Sequence, residues 1–481
     1  MSRLRKRRYL HTEIEKSQAV SSNIHVPAPA GLSYRPFQLA GIAYMLPRNC
    51  VLLADEMGTG KTIQSIGLSD LIKPQRVLVI CPASLKGMWR QAWKKWDVNN
   101  FTIGVVEGTK SCIPATNVVI LNYELLKSYR ESLRLSTWDL LIVDEAHYLK
   151  RGKTDRTLEV LGGIKRNPDK TIKERIAPLP VNRALFLTGT PILNKPKDLW
   201  PLISAIDPEG LGANWFAFAK RYCQLEEIKG WKDGKPIHIG WWWEGADNLE
   251  ELQRIMRERF MLRRMKSDVL KELPPKTRQI IPIIVTNKSL KKLLAQENEQ
   301  FDKYLETHIL PNLEKDIPVS PELREKIALQ KLPFVIEYLK ELLDEQSKIV
   351  VFAHHHSVID KLEAEFADIC AVIDGRTPSK ERESIVKRYQ EESSCRVFIG
   401  GIQAAGVGIT LTAASTAVFA ELDWVPAMMN QAEDRLHRIG QNQNVLIQHV
   451  VLEGSLDERM LQLILEKQEL IDEALNIRKK S

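Results

Sequence analysis

The sequence has no pair of cysteines spaced to hold zinc or to work as a redox dithiol. Its six cysteines, at positions 50, 81, 112, 223, 370 and 395, are scattered. This argues against a C-x-x-C module and for free thiols in a reducing compartment. His354-His355-His356 is the one run that resembles a ligand set, but adjacent side chains at a strand end point to opposite faces, and no further ligand cluster accompanies them. No apolar run approaches the ~18 residues of a membrane span, so no membrane partner is expected. Internal repeats and low-complexity tracts are also lacking. The start, Met1-Ser-Arg-Leu-Arg-Lys-Arg-Arg8, has neither the apolar stretch nor the cleavage site of a secretory signal. Residues 1–30 therefore read as a basic arm, either a solvated tail or a segment for localisation or nucleic-acid contact.

What is present is enough for more than one core. A chain of 481 residues exceeds the size at which single cores stop growing. A hydrophobic share of 44% beside 27% charged residues places it among soluble globular proteins. The net charge of +8 hints at a polyanionic partner. Its distribution says more: between Lys150 and Arg183 there are ten Lys/Arg against four Asp/Glu. That stretch is either a solvated insertion or a basic flap over a phosphate backbone, with Lys165 and Arg166 as candidate contacts.

Short apolar runs bounded by turns mark buried parallel strands. They occur at 51–54, 77–80, 118–121, 140–143 and 184–187, and again at 349–352, 397–399, 417–420 and 447–452. Helical stretches separate most of them, which predicts an α/β fold with two doubly wound parallel sheets. The first lobe is expected over 31–265 and the second over 266–481, joined near Leu262–Pro275. A helical insertion with Pro311, Pro318, Pro321 and Pro333 as breaks is expected at about 286–345. Another insertion, Gly230–Asn248, carries Trp231 and Trp241-Trp242-Trp243, which could stack on bases or close an apolar surface. Ser455-Leu-Asp-Glu458 reads as a capping box opening a C-terminal brace helix.

The chemistry lies at the ends of these strands. Gly58-Thr59-Gly60-Lys61-Thr62 follows a strand and opens a helix, so freed backbone N–H groups and the helix terminus can cradle phosphates. Lys61 would reach the β- and γ-phosphates and Thr62 would ligate Mg²⁺. The strict pattern asks for glycine where Asp55 stands. Asp144-Glu145-Ala146-His147 ends another strand. Asp144 suits the Mg²⁺ shell, and Glu145 suits orienting or deprotonating the attacking water. Leu187-Thr188-Gly189-Thr190-Pro191 ends a third, and its hydroxyls could sense the γ-phosphate, although a plain turn would look the same. In the second half, Gln403-Ala404 to Gly408-Ile409-Thr410 has small residues where backbone could approach a phosphate. Read as a helix, Gln431–Gln441 places Gln431, Arg435 and Arg438 on one face. Those arginines are either paired with Glu433 and Asp434 on a solvated surface or form the half of an ATP site that the phosphate loop lacks.

Together these segments resemble, in order, the motifs of superfamily 2 motors. Tyr34–Gln38, Cys81–Leu85, Leu262–Val269 and Arg438–Gln441 resemble the Swi/Snf branch, and Val351–His355 with Phe419–Trp424 resemble its annealing-helicase members. The resemblance runs from about residue 33 to 475. It implies two RecA-like lobes, ATP and Mg²⁺ as cofactors, and a DNA-dependent ATPase acting on double-stranded or forked DNA. It implies that Gln38 reads adenine, that Pro82, Ser84 and Leu85 contact one DNA strand, and that Asn122 and Tyr123 contact it less clearly. It also implies that Gln403 and Ala404 face DNA, although Ile402 stands where relatives carry a hydroxyl. A strand-separating helicase and an ATP-switched DNA scaffold remain alternatives. The motor is expected to be monomeric on DNA and to find its target through its insertions or a protein partner. Its compactness suggests a bacterial or viral source, hence the cytoplasmic nucleoid; a eukaryotic one would place it in the nucleus.

Overall fold

Every residue of Val77–Cys81 is buried, so this strand must be covered on both faces, as parallel sheets require. The computed structural model describes residues 13–109, 112–167, 169, 171–189, 195–232, 235–243, 245–307, 319–405, 408–423, 425–459 and 461. The chain divides into two compact units, the first ending at Val269 and the second beginning at Leu270.

In the first unit a seven-stranded sheet runs in the order Met261–Leu262, Cys50–Leu53, Ala184–Leu187, Leu140–Asp144, Val77–Cys81, Val118–Asn122, Ile103–Val105. All its neighbours are parallel. Leu187 pairs with Leu53 on one side and with Asp144 on the other. That register brings the ends of three strands, far apart in sequence, to one edge of the sheet.

The second unit has six parallel strands in the order Lys276–Ile283, Val445–Leu452, Thr416–Phe419, Ile349–Ala353, Val397–Gly401, Cys370–Ile373. Alternate residues of Ile349–Ala353 enter different cores, Val350 and Phe352 one, Ile349, Val351 and Ala353 the other. The expected α/β class with two parallel sheets is what the topology shows.

Two local expectations change. Pro333 does not break the insertion: it lies inside the helix Pro321–Glu345, whose buried stripe Leu332, Val335, Leu339 and Leu342 holds the helix across it. Pro321 instead opens that helix at its first turn, where a missing N–H costs nothing, behind the cap Ser320, whose Oγ accepts from Leu323 N at 3.3 Å. Pro311 and Pro318 lie outside the described residues. The capping box at Ser455 is not formed. Glu458 accepts from Gly454 N at 3.0 Å, Glu297 accepts from Leu456 N at 2.9 Å, and Ser455 Oγ is buried without a partner among the described residues. The remainder of the brace helix, the basic arm up to residue 12, Thr190-Pro191 and Trp424 also lie outside the described residues.

The Trp-bearing insertion is an antiparallel hairpin of Glu226–Lys232 and Lys235–Trp242. Trp243 meets Trp215 edge-on at 6.1 Å, and Trp215 in turn meets Trp200 at 5.3 Å, which closes an apolar surface of the unit.

Candidate functional site

The phosphate loop begins where the strand Cys50–Leu53 ends. Gly58 and Gly60 take positive φ (+78° and +83°), and Gly60 caps the helix Lys61–Ile72. The left-handed φ favours glycine at position 60, and an added Cβ would also lie 2.6 Å from Gln38 Nε2, which would have to shift. Thr59 Oγ1 donates to Glu56 O at 2.8 Å, bending the loop back on itself. Lys61 Nζ donates to Asp55 O at 2.8 Å and Glu56 O at 3.2 Å. Burial pushes its ammonium below the ordinary lysine value, against the opposing pull of Glu145, Asp55 and Asp144. Thr62 follows it, partly buried, in the first turn of the helix.

The acids occupy the next strand but one. Asp144 Oδ2 accepts from Trp89 Nε1 at 2.8 Å, and its Oδ1 accepts from Glu145 N at 3.0 Å. Burial, then the neighbouring Glu145, raises its carboxyl above the usual range. Glu145 is held at φ +51°, a left-handed conformation that a non-glycine residue adopts at a cost of about 1–3 kcal/mol. His147 Nδ1 lies 3.3 Å from Thr188 Oγ1 and 3.3 Å from Glu145 Oε2, tying the acidic segment to the strand between it and the phosphate loop.

Asp55, the departure from the strict phosphate-loop pattern, has a structural partner that sequence reasoning missed. Its carboxylate is fully buried and pairs with Arg264, which donates from its backbone N at 2.9 Å, from Nε at 3.1 Å and from Nη2. Arg264 Nη2 also reaches Gln64 Oε1 at 2.9 Å. Arg263 Nη1 donates to Ala54 O at 2.5 Å and Gly189 O at 3.0 Å, joining the start of the phosphate loop to the end of the strand Ala184–Leu187. An unusual acid upstream and two adjacent arginines downstream are both visible in the sequence; their pairing is not.

Gln38 is 2% exposed, and its amide is engaged, accepting from Arg35 N at 2.9 Å and donating to Thr59 O at 3.1 Å. It braces the phosphate loop from behind. Among the segments matched to DNA contacts, Pro82 and Leu85 are buried and Ser84 partly so, within the turn Ala83–Leu85. Asn122 Nδ2 donates to Glu124 Oε2 at 2.6 Å, and Tyr123 is buried against Tyr148, ring centroids 5.3 Å apart. Of Pro82, Ser84, Leu85, Asn122 and Tyr123, Ser84 alone is partly exposed, beside the exposed Ala83. The basic stretch forms the hairpin Gly163–Arg166 with Ile172–Ile176. There Lys165 is paired with Asp155, whereas Arg166 and Lys173 are exposed.

In the second unit the helix stops at Glu433, so Arg435 and Arg438 do not lie on a helix face. Beyond Glu433 the bonds tighten to Arg435 N–Ala432 O and Leu436 N–Glu433 O at 3.1 Å each, the Arg435 carbonyl accepts from Leu411 N at 2.9 Å, and the chain turns through Arg438 N to Leu436 O at 3.1 Å. The two guanidinium groups nevertheless come together. Arg435 Nη1 and Arg438 Nη1 reach Ile409 O at 3.5 and 3.1 Å, and Gly408 beside it has φ +78°. Burial, then Arg435, pushes Arg438 down to about 10. Glu433 turns the other way, to Lys276 at 2.7 Å and Arg278 at 2.7 Å on the edge strand. Gln431 is 1% exposed, with Nε2 lacking any partner among the described residues. Ile402 is buried in the core and Gln403 is exposed, so at this position the amide, not a hydroxyl, faces outward; Ala404 O accepts from Arg382 at 3.1 Å.

No group of metal-ligating side chains is formed among the described residues, His354–His356 included, and none of the six cysteines is in a disulfide. No helix among them is long and apolar enough to cross a membrane.

The SNF2-related domain family matches residues 37–295, more than half of the chain, and the helicase conserved C-terminal domain matches 331–440. The chain belongs to the SNF2-related family. It is 36% identical to the mouse "DNA annealing helicase and endonuclease ZRANB3" over 92% of this chain and 41% of that one. It is 32% identical to the Xenopus tropicalis "SWI/SNF-related matrix-associated actin-dependent regulator of chromatin subfamily A-like protein 1" over 93% of this chain and 46% of that one. The chain thus spans less than half the length of these curated relatives. A solved Sulfolobus solfataricus SWI2/SNF2 ATPase core in complex with dsDNA aligns over 94% of each chain at 25% identity and a TM-score of 0.43.

Proposed function

We propose that this SNF2-family chain is a DNA-dependent ATPase that translocates on double-stranded or forked DNA and returns separated strands to the duplex. The observation that carries the reading is the register in which Leu187 pairs with both Leu53 and Asp144, setting the phosphate loop, the acidic segment and Thr188 side by side. Ligands of open α/β sheets bind at that edge.

Lys61 and the N–H groups of Gly58–Thr62 would hold the phosphates. Glu145 would orient the attacking water. Thr62 and Asp144 would hold Mg²⁺, which when bound neutralises charge on the transferring phosphate. Within the second unit Arg435, Arg438, Gly408 and Gln431 are the proposed nucleotide-binding residues. Gln431 Nε2, buried without a partner among the described residues, fits a site that a ligand atom completes. The annealing outcome is supported by the similar mouse protein, a DNA annealing helicase by name. Ser84, Asn122, Lys165, Arg166, Gln403 and Ala404 remain the proposed DNA-facing positions, with Pro82, Leu85 and Tyr123 offering backbone. The motor would work alone on DNA, targeted by a protein partner, in the nucleoid of a bacterium or the nucleus of a eukaryote.

The test is phosphate release with and without duplex DNA, for the wild-type chain and Lys61→Ala. Duplex should raise release in the first, and the second should be inactive. Flat release on adding duplex would instead favour an ATP-switched scaffold. Triplex displacement without fork unwinding distinguishes the translocase from a strand-separating helicase.

A further inference from the structure

One segment matched to a DNA contact, and the helix that continues another, send hydrogen bonds to one residue, Asp144. The turn Ala83–Leu85 runs directly into the helix Lys86–Trp96, with no break between them. One turn into that helix, Trp89 is fully buried and its indole N–H donates to Asp144 Oδ2 at 2.8 Å. From the second segment, the Tyr123 hydroxyl donates to Asp144 O at 2.6 Å and approaches Glu145 O at 3.4 Å. The strand Val77–Cys81 lies between the strands that carry Tyr123 and Asp144, so the tyrosine reaches across the end of a neighbour to make this bond.

The two donors act on different parts of Asp144. Indole is a donor only, so it fixes one carboxylate oxygen, while Glu145 N at 3.0 Å fixes the other. The phenol fixes the peptide carbonyl that sets where the Glu145 side chain begins. A rigid helix and a buried ring transmit small displacements because packed interiors do not absorb them. Buried indole and phenol groups need partners in any core, but nothing in that need selects one residue at the end of another strand, its carboxylate for the indole and its peptide carbonyl for the phenol.

We propose that Trp89 and Tyr123 are positioning residues through which a DNA strand lying against 82–85 and 122–123 sets the Asp144 carboxylate, making divalent-ion binding and turnover respond to DNA. This rests on the DNA-dependent ATPase reading above.

Trp89→Phe and Tyr123→Phe each remove one donor and keep a ring. In the full chain, three quantities distinguish the outcomes: ATP turnover with and without duplex, the affinity for Mn²⁺ (by electron paramagnetic resonance, with a non-hydrolysable ATP analogue, with and without duplex), and duplex affinity by anisotropy. The wild type should gain both turnover and Mn²⁺ affinity from duplex. In Trp89→Phe the ratio of DNA-stimulated to DNA-free turnover should fall roughly tenfold, the size expected for one hydrogen bond to a charged group. Duplex should no longer tighten Mn²⁺, while duplex affinity stays within about twofold. If Trp89→Phe folds poorly, Tyr123→Phe, which loses one hydroxyl, carries the same comparison. A variant stimulated as strongly as the wild type, or one in which both turnover rates fall by the same factor, overturns the inference alone. A wild-type chain indifferent to duplex overturns the functional reading and this inference with it.

Discussion

The guanidinium groups of Arg435 and Arg438 converge on one carbonyl oxygen, that of Ile409, at 3.5 and 3.1 Å. Burial and the Arg435 charge outweigh Asp434 in lowering Arg438, while Glu433 is paired with Lys276 and Arg278, so an added anion would stabilise the arginine pair. Arg438→Ala should therefore leave ATP binding largely intact and lower turnover by ~10³-fold or more, the scale of an arginine that stabilises transition-state charge. Equilibrium nucleotide binding beside single-turnover hydrolysis separates the two effects; an unchanged catalytic rate would remove the arginine from the reaction.

Asp55→Gly would restore the strict phosphate-loop pattern, yet it should damage the protein. Arg264, itself fully buried, would lose its carboxylate. Breaking a buried pair from one side costs about 3–5 kcal/mol, so the denaturation midpoint should fall sharply. Arg264→Met with Asp55→Gly should recover part of the loss, because the stranded charge is gone.

Glu433 carries a pH dependence with a definite sign. Burial alone would raise its carboxyl, but Lys276 and Arg278 outweigh burial and hold it down to about 2 from 4.5. A depressed carboxylate contributes stability that is present above pH 4.5 and is lost as pH falls from there toward 2. Unfolding midpoints of the wild type should drop across that window, and those of Glu433→Gln should start lower and respond less.

On the basic hairpin the residues should not act alike. Lys165 is already neutralised by Asp155, whereas Lys173 is exposed. If the hairpin follows a DNA backbone, Lys173→Ala should reduce the salt slope of duplex binding by about 0.9 for each phosphate left without its cation, and Lys165→Ala by less. Equal slopes for both variants and wild type would make the hairpin a solvated insertion.

Much of this fold is legible in the residue pattern, for a physical reason. Strands buried on both faces must be continuously apolar, so Val77–Cys81, Leu140–Asp144 and Ile349–Ala353 declare themselves in the sequence. The edge strand Lys276–Ile283 does not, because its exposed residues carry charge and a proline. The helix expected over Gln431–Gln441 ends at Glu433, where the bonds tighten to i→i−3, and Leu411, distant in sequence, takes the Arg435 carbonyl that a longer helix would use. Periodicity registers local preference and cannot register that competition.

Sequence alone determined the phosphate loop, the acidic strand end and the arginine-bearing segment, since each depends on residue types at short spacing. Only the tertiary structure decided that Arg264 neutralises Asp55, that Glu433 turns away from the arginines, and that Trp89 and Tyr123 both bond to Asp144. These pairings join residues from separate strands and helices, and their partners are selected by sheet register and burial: a polar group removed from water must bond to what the fold places beside it.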